Sequence, residues 1–477
     1  MKSDMQNQMR NDLAELLAFE SVQGSAGENA PFGRAMRETL DWFLAKAKGY
    51  GLQTGELGGY CGWAEYGDGA ADVFGVLCHL DTVPAGDGNW SVPPYKLTEK
   101  DGVLYGRGIV DNKGPAVVML HVLKRLKDEN IKLKHRVRLI VGCNEETGSE
   151  CIKHYVRHGE TPRFSMVPDA DFPVINSEKG ILHLKISFPD EYCYTPIFIK
   201  FGSRPNVIPD MAIARVAKDS ALARLLQDAE RLQRWLTIVG IDPKDVTVRE
   251  LDNCVEIETR GVAGHAMTPH KADNAAWKLF ATLSILKNKD PSDLEIINEL
   301  ICSPLSKKRL GIDLSDKKSG ELTLSLGIGK CDSLTKSEKQ RAESPGFLDL
   351  TIDIRLPLCA DKEKIVKAIK DKLKAFGCKP QTEILYYAPN LYIKPNSKLI
   401  KALLKVCRQT MGIKAKPVQT GGGTYARALP YAAAFGPAFP GIETNMHNAD
   451  ERIGAHEFDK LSDIYYAAVS ELDKIEI

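Results

Sequence analysis

Apolar residues recur along this chain with two periods, and the change of period divides it into blocks. Met9, Leu13, Leu16 and Leu17 fall at helical spacing and predict an amphipathic helix over 7–19; a second helix is predicted over 31–48. The run Val-Phe-Gly-Val-Leu-Cys-His-Leu over 73–80 is short, apolar and β-branched at its start. That is the pattern of a strand buried on both faces, as in a parallel sheet. A helix over 114–126 and buried strands over 135–141 and 164–167 follow. Strand, helix, strand in that order predicts an α/β layer with parallel strands.

After Gly180 the period becomes two. Leu182, Leu184, Ile186 and Phe188 alternate with polar neighbours, and similar alternation covers 246–259, 321–328 and 347–356. These segments read as half-solvated strands of antiparallel sheets. Helices are predicted between them over 221–236, 275–287 and 362–376. After about residue 388 the α/β pattern returns: a helix over 397–408, a strand over 416–419, the glycine turn Gly421-Gly422-Gly423, an apolar run over 432–435 and a closing helix over 456–475. The expected architecture is therefore α/β, a mostly parallel-sheet domain formed by 1–180 and 388–477, with a large α+β domain over 181–387 inserted into it. The order of elements allows the insert to be two similar halves, around 181–287 and 321–385.

Composition narrows the class. Of 477 residues, 43% are hydrophobic and 27% charged, which excludes a disordered, collagen-like or coiled-coil chain. Lys+Arg number 64 against 63 Asp+Glu, a net charge of +1 that lacks the basic excess of phosphate-backbone binding. No nucleic-acid partner and no membrane partner are expected. The 11 cysteines are scattered, odd in number and free of C-x-x-C spacing. They read as small buried hydrophobes in a reducing compartment. The first residues carry no apolar signal-peptide core, and no stretch approaches the ~18 uninterrupted apolar residues of a membrane span. The expected location is cytoplasmic.

Chemistry gathers where the buried strands end. His79 and Asp81 follow the strand over 73–80, Asp111 precedes a helix, Glu145-Glu146 follow the strand over 135–141, Asp169 follows that over 164–167, and His447 lies in Asn445-Met446-His447-Asn448-Ala449-Asp450. In open α/β sheets ligands bind at the carboxyl ends of strands. Two histidines and several carboxylates converging there would make a cage for two divalent cations. Each piece alone has a plainer reading: Asp111 as a helix cap, Glu145-Glu146 as a solvated corner, each histidine as a surface or core residue.

The phrases Cys78-His79-Leu80-Asp81-Thr82-Val83-Pro84, Leu104-Tyr105-Gly106-Arg107-Gly108 with Asp111-Asn112-Lys113-Gly114, Asn144-Glu145-Glu146-Thr147-Gly148-Ser149 and Val167-Pro168-Asp169-Ala170 together resemble the co-catalytic zinc metallopeptidases that include aminoacylase, carnosinase and bacterial carboxypeptidases. Asp169 to Val174, Glu178-Lys179-Gly180 and the long insert are most similar to the dipeptidase V branch. The resemblance implies that His79, Asp111 and Asp169 bind one metal and Asp111, Glu146 and His447 the other, with Asp111 bridging. The ions would be zinc, with manganese the alternative. Asp81 would accept the proton of the His79 ring nitrogen that faces away from the metal, and Glu145 would be the general base. A cis peptide would follow Asp111. His456 is the alternative to His447, and it reads as structural at the start of the last helix.

The inserted domain would act as a lid. His265, in Gly261-Val262-Ala263-Gly264-His265, would donate to a developing oxyanion, with His270 a neighbour lacking the motif position. Asn206 would help hold the substrate's reacting end, Arg355 would clamp its carboxylate, and the glycine turn at Gly422 would cradle that carboxylate at a helix start. The implied activity is a dipeptidase acting on a small peptide with a free C-terminal carboxylate. An N-acyl-amino-acid amidohydrolase and a non-catalytic binding protein on the same fold are the alternatives. The length of the insert implies a lid serving its own chain, hence a monomer.

Overall fold

The computed structural model describes residues 2–67, 69, 71–86, 88–188, 196–285, 293–332 and 348–476. Cys193, Phe347 and the last two residues of the helix expected over 275–287 lie outside the described residues. Two compact units are present: Met1–Glu178 with Leu391–Ile477, and Lys179–Asn390. The boundaries expected at 180/181 and 387/388 thus compare with 178/179 and 390/391.

In the first unit one sheet runs in the order Gln53–Leu57, Cys61–Tyr66, Arg136–Gly142, Val73–His79, Phe164–Val167, Ala432–Ala434, Ile175–Glu178, Leu391–Tyr392. Its centre is parallel: Val73–His79 pairs in parallel with both Arg136–Gly142 and Phe164–Val167, and Phe164–Val167 with Ala432–Ala434. Every residue of Val73–His79 is buried, as the unbroken apolar run predicts. The helix Lys113–Asp128 packs on these strands and is buried without a break from Lys113 to Leu123. The helix Ala455–Leu472 packs on it in turn.

Antiparallel strands flank the parallel centre on both sides. The hairpin of Gln53–Leu57 and Cys61–Tyr66 is not evident in the apolar pattern. Gln53–Leu57 is an edge strand without a buried residue, and it carries no alternation to read.

The second unit holds one sheet of eight strands. Gly180–Phe188, from the first of the two possible halves, pairs with Leu348–Leu356 and Gln381–Ala388, from the second. Helices cover the face that carries Leu182, Leu184, Leu350, Ile352 and Ile354. Two expected elements are divided. The segment 246–259 is a hairpin, Val246–Glu250 with Cys254–Arg260, which turns where Leu251 N–H donates to Cys254 O. The helix over 221–236 is two, Ala221–Gln227 and Ala229–Val239, because the Asp228 side chain accepts Arg231 N–H and starts a new helix. A short polar residue competes for backbone donors in this way and interrupts a helix that period alone would continue.

Nine of the ten described cysteines are buried. Among the described residues no helix is long and apolar enough to cross a membrane.

Candidate metal centre

The parallel centre of the first sheet delivers three strand ends to one edge. Val73–His79 ends on His79, Arg136–Gly142 leads to Glu145 and Glu146, and Phe164–Val167 leads to Asp169. Asp111 comes from the loop before the helix Lys113–Asp128, and the Asp111–Asn112 peptide is cis, as the resemblance implies. That loop folds tightly over the helix start. A Cβ at Gly114 would lie 1.9 Å from Ile109 O, so no larger residue fits. His447 sits on a loop with φ of +65°, between the left-handed Asn445 and Asp450.

These residues converge. His79 Nε2 lies 2.8 Å from Asp111 Oδ1 and 3.7 Å from Asp169 Oδ2. His447 Nε2 lies 2.9 Å from Asp111 Oδ2 and 3.2 Å from Glu146 Oε2. Two groups, His79, Asp111, Asp169 and Asp111, Glu146, His447, each bring one ligand atom per residue within 4.8 Å of the others. Asp111 belongs to both. His456 is exposed on the last helix and joins neither group.

The donor set fits divalent cations on two observations. Among the described residues, His79 Nε2 and Glu146 Oε1 are buried without a hydrogen-bond partner. Such orphaned atoms are rare in native interiors. Secondly, the charges are unbalanced. Burial, with the Asp111 charge behind it, raises Glu146 to about 7 and Asp169 to about 6. Burial also drives Glu145 well above the ordinary carboxyl range; the His79 charge opposes this, and Asp169, Glu146 and Asp111 reinforce it. Burial pushes Asp111 up too, but the adjoining His447 and His79 hold it well below its usual value. Burial lowers His447, and Glu146 and Asp111 overcome this to bring it to about 11. Crowded carboxylates that raise one another and recruit imidazolium protons mark a site that calls for added positive charge.

Asp81 is where it was expected, but its atoms play different parts. His79 Nδ1 lies 2.9 Å from the Asp81 main-chain O and 3.4 Å from the carboxylate. The carboxylate accepts the backbone N–H of Glu145 and of Glu146, each at 3.0 Å. Asp81 thus fixes the His79 ring through its carbonyl and the two glutamates through its side chain.

Sequence reasoning overlooked Asn112 and Glu451. The Asn112 amide donates to Pro168 O at 2.5 Å and to Asp169 Oδ1 at 3.3 Å, while its oxygen accepts His79 N–H. Glu451 is fully buried against Arg107. Arg107 lies inside the phrase Leu104-Tyr105-Gly106-Arg107-Gly108, and a charged residue between two glycines there is the available signal for a buried partner.

Gly422 belongs to the same unit, and the structure corrects its expected surroundings. Its N–H donates to Thr420 Oγ1 and its carbonyl accepts Arg427 Nη2. The helix after the turn is only the 3₁₀ segment Tyr425–Ala428. Gly423 is required because a Cβ there would lie 1.8 Å from Arg427 Nη2.

In the second unit, Asn206 and His265 are neighbours. Val207 pairs with His265, and Ala266 N–H donates to Asn206 O. Met267 N–H donates to His265 Nδ1 at 3.0 Å. That leaves the ring proton on Nε2, the tautomer an oxyanion donor needs. Arg355 is buried, and its fork grips Asp353, Nε at 2.7 Å and Nη2 at 2.9 Å.

The model of peptidase family M20/M25/M40 matches residues 75–471. "Putative dipeptidase YtjP" of Bacillus subtilis strain 168 is 33% identical over 474 residues, covering 97% of this chain and 96% of its own. Two solved structures share the fold. Human carnosine dipeptidase 1 aligns with TM-score 0.59 and 14% identity, covering 99% of this chain and 98% of that one. An M20 family metallo-carboxypeptidase of Sulfolobus solfataricus aligns with TM-score 0.60 and 17% identity, covering 98% and 99%. With the model spanning most of the sequence and a relative above 30% identity along nearly its whole length, this chain belongs to peptidase family M20/M25/M40.

Proposed function

We propose that this peptidase is a dinuclear metal-dependent dipeptidase that hydrolyses the single amide of dipeptides with a free C-terminal carboxylate. The observation that carries the reading is the pair of three-residue groups sharing Asp111, with the half-buried Glu145 next to Glu146 in the chain. His79, Asp111 and Asp169 would hold one divalent ion, and Asp111, Glu146 and His447 the other. Zinc suits this donor set, and manganese is the alternative. Such ions, when bound, acidify a water and polarise the scissile carbonyl. Glu145 would take a proton from the attacking water as the water oxygen adds to the carbonyl carbon. It returns the proton to the amine as the C–N bond breaks, giving a carboxylic acid and a free amino group. The grip of Asp81 on the Glu145 N–H holds the base in place.

The name of the Bacillus relative supports a dipeptidase. The substrate-binding roles of Asn206 and Arg355, the oxyanion role of His265 and a monomeric state rest on the resemblance and are part of the proposal. So is a cytoplasmic location, which the mostly buried cysteines support.

Protein stripped by a chelator and reloaded with zinc or manganese is assayed on dipeptides, tripeptides, C-terminally amidated dipeptides and N-acyl amino acids. Metal-dependent cleavage of dipeptides, with kcat/KM falling steeply on amidation, is expected. Indifference to amidation, or preference for N-acyl amino acids, would overturn it.

A further inference from the structure

The fully buried Glu451 carboxylate has no part in the chemistry described so far. Its Oε1 accepts the N–H of Val110 at 2.9 Å and of Asp111 at 3.2 Å. Its Oε2 accepts the N–H of Gly108 at 2.9 Å and Arg107 Nη1 at 2.8 Å. Its main-chain O accepts Gly106 N–H at 3.1 Å. Arg107, equally buried, extends the same connection by donating Nη2 to Asn448 O at 3.1 Å. The segment 106–111 is thereby fastened to the segment 448–451. Asp111 ends the first, and His447 immediately precedes the second.

A further buried negative charge beside an acidic site is costly, and an apolar residue would serve packing as well or better. What a carboxylate adds is the fixing of several donor directions at once, among them the N–H of Asp111 itself. We infer that Glu451, together with Arg107, is a positioning residue for the second metal position, setting the spacing of Asp111 and His447, two of its three ligands. This rests on the proposed reading that the position holds a divalent cation. The first position depends on Glu451 much less, because Asn112 ties Asp111's neighbourhood to His79 and Asp169 directly.

The test compares wild type, Glu451→Gln, Glu451→Asp and a control, Glu65→Gln. Glu65 is a buried carboxylate paired with Arg138 and Arg136 on the neighbouring strand of the same sheet. A glutamine keeps the shape of Glu451 but turns an NH2 toward N–H donors whichever way it is flipped. Each chelator-stripped protein is checked by circular dichroism and melting, then titrated with cobalt(II) or zinc. Wild type should take up two ions. Glu451→Gln should bind the first within about threefold of wild type and the second about 10–100-fold more weakly, the usual effect of removing a group that orients metal ligands. Excess metal should restore its kcat, with half-activation shifted by the same factor. Glu65→Gln should move neither affinity.

If Glu451→Gln fails to fold, Glu451→Asp, which keeps the charge on a shorter arm, should show the same selective weakening. A folded variant that binds both ions as wild type does, or loses both equally, overturns the inference. Unfolding of both variants also overturns it, in favour of a purely structural role. Wild type taking up fewer than two ions would instead refute the dinuclear reading itself.

Discussion

Each unit of this chain buries a cluster of charged side chains, and the two clusters are built differently. In the second unit Asp353 lies mid-strand, opposite His183 in register and gripped by Arg355. Burial pushes Asp353 up, and Arg355 and then His183 bring it below its ordinary value. One carboxylate meets one guanidinium, so the charges balance within the cluster. In the first unit Asp81, Asp111, Glu145, Glu146 and Asp169 face His79 and His447 at strand ends. There the carboxylates raise one another, and buried ligand atoms lack partners. The carboxylate inside the sheet meets a counter-charge from its own strand, whereas the crowded carboxylates at strand ends call for a cation.

The largest expected effect would break the first half of that contrast. Asp111→Ala removes the residue common to both groups, so metal uptake should fall at both positions and activity should become undetectable. Loss of a single ion, measured by metal analysis after dialysis, would show that Asp111 serves only one position. Glu145→Gln should cost about 10²–10⁴-fold in kcat, the usual contribution of a general base, with two ions still bound. Metal loss in this variant would make Glu145 a ligand and reverse its assignment with Glu146. His265→Ala should lower kcat about 10²–10³-fold, the effect of removing an oxyanion donor, and leave metal content alone. An unchanged kcat would leave that histidine a structural role only.

Asp353→Asn sharpens the other half and has the smallest effect on metal binding. It leaves Arg355 buried without its counter-charge, which costs on the order of 3–5 kcal/mol of stability. A lowered melting temperature with both metal affinities intact is the expected result. Release of metal on this substitution would mean that the two clusters are coupled.

The central strands and the candidate ligands were legible because both follow local rules. Val73–His79 is buried on both faces and so reads as one apolar run, and His79, Glu146 and Asp169 stand at or just after the carboxyl ends of strands. The hairpin of Gln53–Leu57 with Cys61–Tyr66 was not legible, because a solvated edge strand needs no apolar pattern. The break at Asp228 was missed because one capping side chain outweighed a helical period that continued through it.

By itself the sequence determined the α/β core, the inserted antiparallel unit and the residue types at each strand end, since burial writes its period directly into the chain. Only the tertiary structure decided which atom does what. It gave the Asp81 carboxylate to the amides of Glu145 and Glu146 and set Glu451 behind Asp111, 340 positions away along the chain. Hydrogen bonds of that kind join residues far apart in the chain. Their partners are fixed by where the strands and loops come to rest, and no local pattern records that.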